Sequence, residues 1–209
     1  LTVSACDPTQ HPDAASALRD LGLHLSTQAH EVRNVHFLRT SFAQAARREE
    51  WLLERLGAWI DTGSPPLAYM PKCDLHSRRV VGAEALLRFR DEQGALVSPG
   101  LIVALATRHR MLAAFEWSTL EQASRDARQW ADGGQAEVLS VNISSASLVT
   151  PGFATRLLEL LDHTRLPPRA LMLELTEHDA VPDIDTVRDN VRLLTAQGVR
   201  LSLDDFGSG

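Results

Sequence analysis

Cysteine is scarce in this 209-residue chain, which holds two, Cys6 and Cys73, far apart. That spacing supplies neither a disulfide framework nor a cysteine-rich metal site, and it reads as two free thiols in a reducing compartment. Long apolar runs are missing as well. None approaches the roughly 18 residues that a membrane-spanning helix requires. The opening "LTVSACDPTQ" has neither a basic start nor an apolar stretch, so it is not a signal peptide. A basic surplus is also lacking. The formal net charge of −6 argues against broad binding to a DNA or RNA polymer, which relies on a basic surface. Internal repeats and low-complexity tracts are absent. These absences lead us to expect a cytoplasmic chain that contains no membrane segment itself, and they leave room for a compact ligand. An anionic ligand held by a local arginine or by metal ions fits that description.

What is present is the composition of an ordinary globular domain, 44% hydrophobic and 23% charged. Residues 1–40 resist classification: "DPTQHPDAASALRDLG" suggests a turn and a short helix, and "HEVRNVHFLRT" fits strand or helix. The stretch "SFAQAARREEWLLERLGAWI" places Phe42, Ala45, Leu52, Leu53, Leu56 and Ile60 on one helical stripe, with "RREE" as its solvated face. "DTGSPP" at 61–66 then breaks the helix. Beyond it, "LAYMPKCDL" and "RRVVGAEALLRF" read as two strands of a hairpin turning near His76–Arg79. Two helical stretches follow, "PGLIVALATRHRML" and "FEWSTLEQASRDARQWA". Strands at "AEVLSVNIS", "ALMLELTE" and "VRLSLDDF" then alternate with helices at "FATRLLELLDHT" and "IDTVRDNVRLLTAQG", the last capped by Gly198. Such alternation predicts βαβ units and a parallel sheet, either an open doubly wound one or a closed barrel.

Metal-friendly oxygens recur where these strands end. Glu84 follows "VVGA", Asn142 follows "VLSV", Glu174 follows "LML", and Asp204 with Asp205 follows "LSL". The ends of parallel strands share one face, and in a barrel that face carries the active site. A lone Glu or Asn at such a place is ordinarily a cap or a surface residue. Four strands repeating the pattern, one with adjacent aspartates, point instead to a cluster that cations must neutralise. Oxygen-only donors favour hard divalent ions. From spacing alone the chain is an α/β metalloenzyme, or a metal-dependent binder, acting on an anionic substrate.

The same residues resemble a family. "EALLR" at Glu84–Arg88, preceded by the Tyr69–Pro71 strand, is similar to the signature of EAL domains, the cyclic di-GMP phosphodiesterases of bacterial signalling. "VNIS" (141–144), "LELTE" (173–177) and "DDFGSG" (204–209) match further family motifs in order. The resemblance covers roughly residue 45 to the end. It implies a modified TIM-type barrel whose first strand is antiparallel, with an N-terminal helical segment before it. It divides the chain into 1–40, the tail of a preceding domain, and 41–209, an EAL domain lacking its C-terminal strands. It further implies that Glu84, Asn142, Glu174 and Asp204 hold one Mg²⁺ or Mn²⁺, and that Asp204 with Asp205 reaches a second. Glu84, Asp204 and Asp205 would then be the catalytic groups. Arg88 would contact a ligand phosphate and Glu177 would anchor the loop after "DDFG". The implied reaction is hydrolysis of one phosphodiester of cyclic di-GMP to the linear dinucleotide. It needs no nucleophilic Ser, Cys or His, and His76, His109, His163 and His178 read as surface or loop residues. A homodimer and an upstream sensor domain are the partners that family habit suggests.

Two departures from the pattern favour an alternative, an inactive cyclic di-GMP receptor or protein-binding regulator. Met70 stands where the family usually has a ligand-positioning glutamine, and a thioether cannot make the same hydrogen bonds. Core packing is the other reading of that methionine. The family also continues beyond "DDFGSG" with strands that carry a lysine near the catalytic water and a further glutamate.

Overall fold

A computed structural model describes residues 3–6, 35–38, 40–132, 138–176 and 184–204. The chain divides into two compact units, Leu1–Arg55 and Leu56–Gly209. In the first, β1 (Val3–Cys6) pairs in parallel with β2 (Val35–Leu38). "HEVRNVHFLRT" therefore contains strand, whereas the short helix expected in "DPTQHPDAASALRDLG" lies outside the described residues. Helix α1 (Thr40–Thr62) follows. Its stripe buries Leu52 and Leu56, and it stops where Gly63 adopts φ +59, which an L side chain would resist.

The second unit is built on one five-stranded sheet in the order β3-β4-β7-β8-β9. β3 (Leu67–Cys73) runs antiparallel to β4 (Val80–Leu87), the expected hairpin. β7 (Val138–Asn142), β8 (Leu171–Thr176) and β9 (Arg200–Asp204) then add in parallel, each after a helical crossover. Helices α2 (Pro99–Arg108) and α3 (Leu112–Asp132) separate β4 from β7. Between β7 and β8 come a single turn, α4 (Ser145–Leu148), and α5 (Phe153–Thr164). Helix α6 (Ile184–Ala196) precedes β9, and Gly198 adopts φ +96 at the turn after it, as a helix C-cap glycine should. A two-residue ribbon, β5 (Phe89–Arg90) against β6 (Leu96–Val97), lies outside the main sheet and had no signal in the periodicity.

Register divides the sheet into two chemically distinct faces, because paired residues point the same way and neighbours along a strand alternate. Ala85, Leu139, Val141, Leu171 and Leu173 share one face and form the core with Leu120 and Ala123 of α3, Leu157 and Leu161 of α5, and Leu194 of α6. Helix α5 shows why it docks there: Phe153, Ala154, Leu157, Leu160 and Leu161 recur at helical spacing and all are buried. Truncating a fully buried leucine such as Leu173 would cost about 2–5 kcal/mol. Tyr69 takes part from β3, donating its hydroxyl to Asp126 and standing edge-on to Trp130 at 4.4 Å, both on α3. Burial first, and then the Asp126 carboxylate, push its phenol pKa upward.

The opposite face carries the alternate residues. Met70 pairs with Glu84 and Lys72 with Gly82 across the hairpin. Glu84 pairs with Ser140, Ser140 with Met172, and Asn142 with Glu174. Polar and charged groups therefore gather on one side of a sheet whose other side is a leucine-rich core. Alternation within each short strand suffices to produce this.

Candidate functional site

The site begins with the adjacent strands β4, β7 and β8. Glu84 is partly buried, Asn142 is exposed at the end of β7, and Glu174 is 6% exposed. The Asn142 amide Nδ2 donates to Glu84 Oε1 at 3.1 Å. Asn142 and Glu174 sit side by side in register. These three oxygen-bearing residues thus come together as the strand ends predicted, with one adjustment. Glu84 lies within β4, three residues before its end, and the bonding of Asn142 reaches back to it. On β9 the backbone of Asp204 pairs with Thr176, placing it two residues beyond the level of Glu174 on the next strand. The Asp204 side chain, Asp205, Glu177 and His178 lie outside the described residues. Among the described residues no three His, Cys, Asp or Glu side chains gather as a metal-holding group. Of the five predicted ligands, the described side chains are two carboxylates and one amide.

Lys72 puts a cation on this face, and sequence reasoning did not single it out. Its ammonium donates to Ser140 Oγ at 2.8 Å and forms an ion pair with Glu174 Oε1. Lys72 and Glu174 are separated by β4 and β7, about 14 Å along a flat sheet at the usual strand spacing. The contact is possible because the sheet curls, with the polar face on its concave side. The signal available in advance was the alternation itself: Lys72 is two residues from Met70 and must share its face.

A cleft of about 530 Å³ opens beside Asn142 and the end of β4. Its walls are largely apolar, from Leu86, Pro99, Val103, Leu112 and Phe115, with Arg88, Asn142, Ser144 and Ser145 contributing polar groups. Arg88 is exposed and bonds through its guanidinium to the Leu87 carbonyl at 2.9 Å. Its backbone N–H donates to the Pro66 carbonyl at 2.9 Å, tying the end of β4 to the residue before β3. Buried Glu116 of α3 fixes the far wall. It accepts from the Ser144 N–H at 2.8 Å, from the Ser144 hydroxyl at 3.1 Å, and from the Ser147 hydroxyl. The segment that follows Asn142 is thereby held against α3. Met70 is 51% exposed beside Glu84 and is not packed into the core. His76, His109 and His163 are exposed, as the sequence suggested.

An α/β sheet with an antiparallel first strand, carrying Glu84, Asn142 and Glu174 on its polar face, defines the class. A model of the EAL domain family matches residues 53–209, and the chain belongs to that family. Among curated relatives, the bifunctional diguanylate cyclase/cyclic di-GMP phosphodiesterase MucR of Pseudomonas aeruginosa is 33% identical over 175 residues. That match covers 83% of this chain and 25% of MucR. A solved structure of the MucR phosphodiesterase in complex with c-di-GMP aligns with a TM-score of 0.66 at 33% identity, covering 76% of this chain and 65% of that one. The EAL domain of Mycobacterium smegmatis DcpA aligns with a TM-score of 0.54 at 30% identity, covering 69% and 57% respectively. The fold is accordingly that of the TIM-barrel-like EAL domains, and the chain spans about a quarter of the length of MucR. Among the described residues no helix is long and apolar enough to cross a membrane.

Proposed function

We propose that this chain supplies the catalytic face of a cytoplasmic cyclic di-GMP phosphodiesterase that opens one phosphodiester to give the linear dinucleotide. The observation that carries the reading is the adjacency of Glu84, Asn142 and Glu174, of which Asn142 also lines an apolar cleft that presents Arg88. Asp204, the last residue of β9, and Asp205, next along the chain, would extend the donor set. Oxygen donors without sulfur or imidazole fit Mg²⁺ or Mn²⁺. When bound, such ions would supply an activated water and neutralise charge on the phosphoryl oxygens.

The protein's own contribution is placement. Glu174 is held by the interior of the sheet, and Glu84 by its bond to Asn142, so the ligand side chains are oriented in advance. Arg88 would meet a ligand phosphate with its planar guanidinium, a geometry that lysine does not reproduce. The cleft between β4, α2 and α3 offers apolar walls suited to a nucleobase, and Ser144 and Ser145 add polar groups to its lining. Glu116, by pinning Ser144, keeps that wall in place. Glu177 would act on the loop after "DDFG".

Incubating full-length protein with cyclic di-GMP and Mn²⁺, then resolving products by mass spectrometry, tests the reading. Accumulation of the linear dinucleotide is expected. Intact cyclic di-GMP that nevertheless co-purifies with the protein would replace it with the second reading, a receptor without turnover. Met70 favours that second reading, because it brings a thioether beside Glu84.

A further inference from the structure

We propose that Lys72 is the resident counter-ion of Glu174 and competes with a divalent metal for that carboxylate. The inference rests on the metal-site reading above and adds a regulatory element to it. A carboxylate that is 6% exposed is costly to keep ionised without a cation. The Lys72 ammonium meets that need. Its position is not left to a flexible stem. Ser140, fully buried on β7, accepts from the same ammonium at 2.8 Å and fixes it beneath Glu174. Lys72 is also the only charged residue of β3, so no second cation on that strand substitutes for it.

A divalent ion placed on Glu174 would come within a few ångströms of this fixed charge. Two positive centres at that range repel strongly even in a partly polar medium. Metal binding must therefore displace the ammonium from Glu174 or bear the repulsion. Either way, Lys72 weakens metal affinity while keeping the empty site folded. Metal occupancy then responds to ion concentration in a higher range than the same oxygen donors would set without the ammonium.

The test is Mn²⁺ binding to full-length protein by calorimetry in the absence of nucleotide, with melting curves in chelator and in saturating Mn²⁺. Lys72→Met should lower the melting temperature in chelator, bind Mn²⁺ with a Kd at least about tenfold lower, and close the melting gap when saturated. Lys72→Arg, which keeps the charge, should bind Mn²⁺ as the wild type does. If Lys72→Met does not fold, Ser140→Ala frees the ammonium and should shift the Kd in the same direction by a smaller factor. An unchanged or weaker Mn²⁺ affinity in Lys72→Met, with the wild type binding normally, overturns the competition alone. A wild type that binds no Mn²⁺ overturns the metal-site reading together with it.

Discussion

Replacing Gly82 with alanine probes how closely the site-bearing strands approach. Gly82 pairs with Lys72 on one side and Val138 on the other, next to a register shift that leaves Val81 unmatched in the hairpin. A Cβ at Gly82 would lie 2.5 Å from the Val138 carbonyl oxygen and 3.3 Å from the Val138 Cβ. Ordinary contact begins near 3.4 Å, so one strand must move by about 0.9 Å, and the obstacle is backbone. Overpacking of this kind costs about 1–3 kcal/mol. For a domain of this size that corresponds to a melting temperature lower by about 2–12 °C. The movement would also separate β4 from β7 near Glu84 and stretch the 3.1 Å bond to Asn142. Gly57 in α1 is the internal control. A Cβ there meets nothing nearer than the Met111 methyl at 4.0 Å, so Gly57→Ala should stabilise by about 0.5–1 kcal/mol. Urea denaturation of both variants checks the pair. A Gly82→Ala protein as stable as the wild type would refute the close approach of β4 and β7.

Two further perturbations follow from the same geometry. Tyr69 is the one tyrosine of the chain, and its phenol is pushed upward, so folding favours the neutral form. Its stabilising effect is complete below about pH 10, the unfolded value, and fades as pH rises above it. Alkaline ultraviolet titration should therefore show tyrosinate appearing together with unfolding, and Tyr69→Phe should remove that linkage. An ordinary tyrosinate titration in the folded state would contradict the buried pairing with Asp126. Glu116→Ala should lose about 2–4 kcal/mol in urea denaturation, because the Ser144 and Ser147 donors lose their charged acceptor. It should also weaken nucleotide binding by loosening the cleft wall, and a loss below about 1 kcal/mol would mean that water replaces the carboxylate fully.

Strand positions and the hairpin were legible because short alternating runs bounded by turn residues carry period-two information. That Asn142 and Glu174 would share a face was legible because each follows an apolar run, whereas their pairing in register on adjacent strands had no local signal. Glu84 illustrates the limit: its residue type and neighbours were informative, but its depth within β4 depends on the hairpin's register. Lys72 illustrates a second limit. Its contact with Glu174 crosses two strands and depends on sheet curvature, which no local pattern encodes. Glu116 was hidden for a related reason, since "FEWS" reads as one more amphipathic turn until α3 is packed against the segment after Asn142. Helix α4 and the β5–β6 ribbon are too short to generate a periodic signal.

The most direct measurement of the central claim is cyclic di-GMP turnover by full-length protein under metal control. The wild type should produce linear dinucleotide with Mn²⁺, stop when the metal is chelated, and resume when it is restored. Glu174→Gln, which keeps shape but removes the ligand charge, should fold, retain nucleotide binding, and lose at least about 100-fold in kcat. Turnover that survives chelation, or that is unchanged in Glu174→Gln, would contradict a metal-dependent phosphodiesterase built on this face.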